Sequence, residues 1–289
     1  MLNRNVINNM PEQTIPVSKQ PATAAPSPVT AQPVATTAPA FDFPTEYIDL
    51  PSQGHFYPLS SPLSSGRIQL KYMTAKEEDI LTSQNLIKKG VVLDELLRAL
   101  IVSPGVKLED IFVLDKNAIF VAARRLAYGD KYPVKITCPK CEAENNIDVD
   151  LSTLAPKEFE FSKYKKGENS FEFELPVTKK TVTYKILTHK DENDIDAELK
   201  GLAKVSKGTS PEMTTRLKYM IVSVNGDEDR GVVKKFVDNL PARDSIVLRK
   251  YIRENTPELD MNFSFKCSEC GHEERMAMPL GVDFFWPSS

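Results

Sequence analysis

The sequence predicts an α+β protein in which a strand-plus-helices unit occurs twice. The two copies are joined by one shared four-cysteine ribbon and preceded by a disordered Pro/Ala/Thr-rich N-terminal arm. Three observations predict it. The chain's 4 cysteines form two CxxC pairs, Cys138/Cys141 and Cys267/Cys270, each set between strand-like patterns. The order of strand, capped helix, further helices, strand and CxxC in the first half returns in the second. Residues 1–40 hold Pro11, Pro16, Pro21, Pro26, Pro28, Pro33 and Pro39 with no aromatic residue, too little apolar surface to offset the entropy of ordering. The chain therefore divides into an arm at 1–40, a first repeat with its knuckle at 41–155, and a second repeat with its knuckle and an aromatic tail at 156–289.

Order begins at Phe41. Phe43, Tyr47, Ile48 and Leu50 lead into the turn-rich segment Leu50 to Pro58, whose Pro and Gly make turns and whose aromatic residues give it something to bury. Arg67 to Met73 alternates as a strand, and Thr74 with Glu77 three residues later has the spacing of a helix-capping box. Val92, Leu93, Leu96, Leu97, Leu100 and Ile101 recur at helical spacing and stop before Pro104-Gly105. A second helix is expected over Asp115 to Tyr128, closed by Gly129. Strands Tyr132 to Thr137 and Asn146 to Leu151 then flank the first CxxC.

The second half repeats this order. Thr74-Ala75-Lys76-Glu77-Glu78 matches Thr188-His189-Lys190-Asp191-Glu192, and Leu97 to Ser103 matches Leu217 to Ser223. The offset drifts from 114 at Met73/Leu187 through 120 at Ile101/Ile221 to 129 at Cys138/Cys267, as small loop insertions produce. A helix over Ala242 to Glu254 and a strand over Met261 to Cys267 complete the copy. An ancient duplication accounts for the ordered set of matches better than chance does.

A tetrahedral metal site needs four ligands, and a CxxC turn supplies two. Neither copy holds a second pair, so the knuckles are expected to meet across the intervening 125 residues, with Cys138, Cys141, Cys267 and Cys270 holding one structural zinc ion per chain. Long-loop closure costs little more than short, and structural zinc in peptides is worth on the order of 10 kcal/mol. Flanking strands argue against a redox pair, which usually opens a helix. Four thiolates leave no open position for water, so metal catalysis does not follow. On this reading the cysteines bind the two copies together.

Composition narrows the function classes. The 289 residues carry 37 Lys+Arg against 40 Asp+Glu, a net charge of -3, so there is no strong basic excess to meet phosphate. No apolar run approaches the 18 residues of a membrane span, and residues 1–16 lack the apolar segment of a secretory leader, so a soluble protein in a reducing compartment is expected. The 3 histidines, His55, His189 and His272, fit no catalytic motif; neither a small-molecule substrate nor an enzyme is expected. Phe284, Phe285 and Trp286 end the chain as an aromatic cluster, which either folds back onto its own domain or anchors a partner.

Leu-Pro-Ser-x-Gly-x-x-Tyr-Pro (Leu50 to Pro58), Met-Thr-x-Lys-Glu-Glu-Asp-Ile-Leu (Met73 to Leu81), the paired knuckles and the terminal Phe-Phe-Trp resemble the T-even-type phage baseplate protein family, over about Tyr47 to Trp286. The resemblance implies a baseplate hub subunit or hub assembly factor of contractile-tailed phages, binding other tail proteins in the host cytoplasm or in the virion tail, with no catalytic residues to carry over. The alternative is a nucleic-acid-binding zinc-ribbon protein. Glu142, Glu144, Glu269, Glu273 and Glu274 around the knuckles oppose it, because carboxylates repel phosphate.

Overall fold

The computed structural model describes residues 43–205, 211–278 and 282–285, so the 1–40 arm and Trp286 lie outside the described residues. The first apolar run forms β1 (Thr45–Asp49), which pairs antiparallel with β2 (Arg67–Lys71), Ile48 opposite Ile68. Glycine makes the intervening turn possible. Gly54 has φ 71° and lies so close to the facing chain that an added Cβ would stand 2.5 Å from the Gly66 nitrogen.

Helix α1 (Ala75–Thr82) starts where the capping pattern places it. Thr74 donates to the Glu77 carboxylate from its N–H at 3.0 Å and its hydroxyl at 2.6 Å, while Lys71 Nζ approaches the same group at 2.7 Å. A short α2 (Gln84–Lys89) leads to α3 (Val92–Leu100), whose Val92, Leu96, Leu97 and Leu100 are buried. α4 (Val113–Tyr128) begins two residues earlier than the sequence suggests and ends at Gly129. The hairpin of β3 (Lys131–Thr137) and β4 (Glu144–Asp150) follows.

The second half follows the same order. β5 (Phe171–Glu174), β6 (Thr181–Tyr184) and the later β7 (Ile221–Val224) form one antiparallel sheet in the order β5-β6-β7. α5 (His189–Val205) opens on the same device as α1: Thr188 N–H donates to Asp191 at 3.0 Å and Lys185 Nζ pairs with it at 2.8 Å. Then come α6 (Glu212–Met220), α7 (Arg230–Asp238), α8 (Ala242–Glu254) and the hairpin of β8 (Asn262–Lys266) and β9 (Glu273–Ala277).

Equivalent positions meet equivalent partners. Leu70 bridges to Ile101 in the first half, and Tyr184 pairs with Ile221 in the second, at the offsets of 114 and 120 read from the sequence. Asp115 and Asp244, 129 apart, are both fully buried third residues of their helices, and each holds the turn of its own hairpin. Asp115 accepts Ser52 N–H at 2.9 Å and Ser52 Oγ at 2.7 Å; Asp244 accepts the N–H groups of Val177 and Thr178 at 2.8 and 3.0 Å. The halves also differ. α7 stands where the first half has a three-residue 3₁₀ turn at Leu108–Asp110.

One apolar core runs through both halves, taking in Leu97, Ile119 and Leu151 along with Tyr184, Leu217 and Leu248. The halves also exchange backbone hydrogen bonds: Val113 N–H donates to Leu187 O at 3.0 Å, and His189 N–H to Ile111 O at 2.8 Å. The clustered cysteines therefore join halves that a shared core and backbone hydrogen bonds also hold. A separate, smaller apolar cluster surrounds Cys138, Phe265 and Cys267.

Candidate metal centre

Each ribbon hairpin ends in a knuckle built by the same hydrogen bonds. Cys138 N–H donates to Ala143 O and Glu142 N–H to Cys138 O, both at 2.9 Å; in the other knuckle Cys267 N–H donates to His272 O at 2.9 Å and Gly271 N–H to Cys267 O at 3.1 Å. The residue after each second cysteine takes the left-handed conformation, Glu142 at φ 60° and Gly271 at φ 68°. Glycine adopts it without cost; Glu142 does so against its Cβ.

The two knuckles face each other, and the four sulfur atoms lie within 4.8 Å of one another. Across the knuckles Cys138 Sγ is 3.8 Å from Cys270 Sγ, and Cys141 Sγ is 3.6 Å from Cys267 Sγ. A disulfide needs about 2.05 Å, so these thiols are free. A tetrahedral ion with metal–sulfur bonds of about 2.3 Å has sulfur–sulfur edges of about 3.8 Å, which the two separations across the knuckles match. Cys138 and Cys267 are buried, whereas Cys141 and Cys270 are exposed. Phe265 forms the floor, flanked by Ile136, Ala143, Ile147, Phe263 and Met276.

Crowded thiols cannot share one protonation behaviour. At Cys267 the backbone N–H of Cys270 leads a set of donors that, against burial, draws the thiol down to about 6. At Cys141 a backbone hydrogen bond at Ala143 pulls down, but contacts with the Cys270, Cys267 and Cys138 sulfurs, together with burial, push it up to about 12. A divalent cation relieves this competition by taking all four sulfurs as thiolates. His272 is not among the clustered ligands; its ring is 3.4 Å from Glu274.

Sequence reasoning finds the four cysteines and misses Asn145. This buried side chain of β4 donates from Nδ2 to Cys267 Sγ at 3.6 Å and to Ala143 O at 3.0 Å. Its Oδ1 accepts Ser268 N–H at 2.9 Å and Ser268 Oγ at 3.0 Å. Along the chain it is only the fourth residue after Cys141, a position that carries no signal until the knuckles are seen facing each other.

Two further groups gain their partners only in three dimensions. Lys116 Nζ lies 3.0 Å from His189 Nδ1 and 3.1 Å from Asp94 Oδ1, and His189 Nε2 lies 3.1 Å from Asp94 Oδ2. An ammonium can only donate, so Nδ1 accepts from Lys116, while Nε2 lies 3.1 Å from both Asp94 Oδ2 and Asn193 Nδ2. Burial pushes the Asp94 carboxyl up, but His189 and Lys116 outweigh it and hold the group at about 2. The trio ties α3 and α4 to the start of α5.

The second group is the tail. Phe284 and Phe285 are each 1% exposed: Phe284 packs edge-on to Tyr132 at 4.9 Å and Phe285 to Phe120 at 5.8 Å. The rings of Phe284 and Phe285 thus pack on the chain's own aromatic residues. Beside them lies Arg124, 1% exposed, its guanidinium over Tyr128, Tyr132 and Phe284 at 5.0, 5.0 and 5.7 Å. Its Nε and Nη1 are buried with no hydrogen-bond acceptor among the described residues.

Among the described residues no helix is long and apolar enough to cross a membrane. No curated protein and no solved structure matches the chain. A family model described as T4 bacteriophage base plate protein matches residues 49–286, from the strand before the Ser52 turn through both knuckles to the terminal aromatic residues. With most of its length so matched, the chain belongs to the T4 bacteriophage base plate protein family.

Proposed function

We propose that the chain is a non-enzymatic structural or assembly protein of the baseplate hub, acting by binding other tail proteins through a body whose ribbon is clamped by one structural zinc ion. The family match over 49–286 carries this reading. Zinc is favoured over other ions because four thiolates at tetrahedral spacing, with no further ligand in the cluster, suit a d¹⁰ ion that needs no open position. Cys138, Cys141, Cys267 and Cys270 hold it.

The body is read as two copies of one unit, at 41–155 and 156–289. The paired capping devices at Glu77 and Asp191 and the paired turn clamps at Asp115 and Asp244 support this. The arm at 1–40 serves as a tether, and the tail of Phe284, Phe285 and Trp286 is the segment proposed for partner contact. Assembly takes place in the host cytoplasm before the protein joins the tail. The nucleic-acid alternative has less support, because three cations on the ribbon strands face acids of their own: Lys135 pairs with Glu144, Lys266 with Glu273 and Arg275 with Asp260.

Two measurements test the reading. Elemental analysis of purified protein should give one zinc per chain, and a variant with all four cysteines replaced by serine should carry none. Tagged protein mixed with phage-infected lysate should retain hub or tail-tube proteins and leave a duplex DNA probe unshifted at physiological salt. A salt-sensitive DNA shift without tail proteins would replace the assembly role with the alternative.

A further inference from the structure

The two knuckles are nearly symmetric in backbone, yet one side chain breaks the symmetry. The fourth residue after the second cysteine is Asn145 in the first knuckle and Glu274 in the second. Glu274 is exposed and meets His272, whereas Asn145 is 4% exposed and reaches across 122 residues of sequence to Cys267. Its amide has both halves occupied. The oxygen takes the Ser268 N–H and hydroxyl, fixing the loop of the second knuckle, and the nitrogen donates to the Ala143 carbonyl of its own knuckle and to the Cys267 sulfur.

Four thiolates around a divalent ion leave two net negative charges in a partly buried site, and N–H···S donors are what offset them. An acid at this position could still accept from Ser268 but could not donate to sulfur. An apolar residue could do neither.

We propose that Asn145 is the positioning residue of the metal centre, setting the second knuckle against the first through Ser268 and donating a hydrogen bond to the Cys267 ligand sulfur. This rests on the metal reading above. It makes metal capture depend on one amide in the first knuckle, with no counterpart in the second.

The test uses the full chain with cobalt(II) as a spectroscopic probe and zinc in competition with a chelator. The metal reading stands or falls on wild type alone: it should bind one cobalt with a tetrahedral thiolate spectrum, and no binding would remove both proposals together. Given binding, Asn145→Ala, which removes both contacts and adds no charge, should weaken zinc affinity by about ten- to a hundredfold. Asn145→Asp keeps the Ser268 acceptor and removes the sulfur donor. At saturating cobalt both variants should move the sulfur-to-metal charge-transfer band to longer wavelength, because a thiolate with one donor fewer is easier to oxidise. Wild-type affinity and an unshifted band in both variants would overturn the proposal. Weakened binding in the alanine variant with unshifted bands in both would reduce Asn145 to a structural link and overturn the donor role. Because the band is read on the metal-loaded protein, it reports on the bond even where a variant is less stable.

Discussion

Asp115 shows how one buried carboxylate can serve and tax a fold at once. It accepts Ser52 N–H, Ser52 Oγ and, at 2.8 Å, the Tyr57 hydroxyl, which itself accepts Phe112 N–H at 2.9 Å. Ser52, Gly54 and Tyr57 of the Leu-Pro-Ser-x-Gly-x-x-Tyr-Pro segment thus have assigned work: two hold the acid, and the glycine lets the chain turn past Gly66. Burial pushes the Asp115 carboxyl up to about 6, against the hydrogen bonds that pull it down. A group whose folded value lies above its unfolded value stabilises fully below the unfolded value, here about 3.9, and loses that contribution as pH rises through about 6. The contribution lost is roughly 3 kcal/mol, because each tenfold difference in proton affinity between the folded and unfolded chain is worth about 1.4 kcal/mol. Urea unfolding of wild type and Asp115→Asn at intervals from pH 4 to pH 7 should therefore show the stability of wild type falling by that order relative to the variant. Metal release at low pH affects both proteins and drops out of the difference. A difference that stays flat across the range would mean the carboxyl is not raised.

At the scale of elements, the recurring device is a helix whose third residue reaches back to clamp a hairpin turn. In the second half Asp244 does this with two backbone N–H groups, and burial, which raises its carboxyl, is outweighed by them so that it titrates below its ordinary range. Asp244→Ala would remove the acceptor of the Val177 and Thr178 N–H groups in a partly buried turn, at about 1–3 kcal/mol for each donor left unmade away from water. The expected result is a loss of about 2–5 kcal/mol in unfolding stability, with amide exchange accelerated first in the β5–β6 turn. A loss under about 0.5 kcal/mol would show that water replaces the carboxylate there.

Which devices are legible in the sequence follows from their reach. The capping boxes at Thr74 and Thr188 span three residues and are visible as a spacing. The Asp115 and Asp244 clamps join residues 63 and 67 apart, and no local period marks them. α7 is hidden for another reason: with Gly231 near its start and Val233 and Val237 as its buried positions, against four in the equally long α3, it carries too few core residues for a helical period to stand out.

At the scale of the whole molecule, the question is what the ribbon holds together. Sequence alone makes the cysteines the joint, because contacts between two copies leave no pattern along either one. The structure runs a single core through both halves and adds the Asp94–His189–Lys116 trio and the backbone bonds at Val113 and His189. The sulfur cluster has its own small apolar floor around Phe265, separate from that core. A metal bound there stabilises the hairpin ends it organises, whereas a small zinc finger without a core depends on its metal for the whole fold. Stripping the metal with a strong chelator should therefore raise amide exchange in residues 136–146 and 264–274 by orders of magnitude, while the amides of α3, α4 and α8 keep most of their protection. The protein should stay folded by circular dichroism, with a thermal midpoint lowered by several degrees, since about 1 kcal/mol moves a domain of this size by about 2–4 °C. Exchange that rises together in the ribbon and in those helices would restore the cysteines as the joint, and the shared core would then be too weak to hold the copies without the metal.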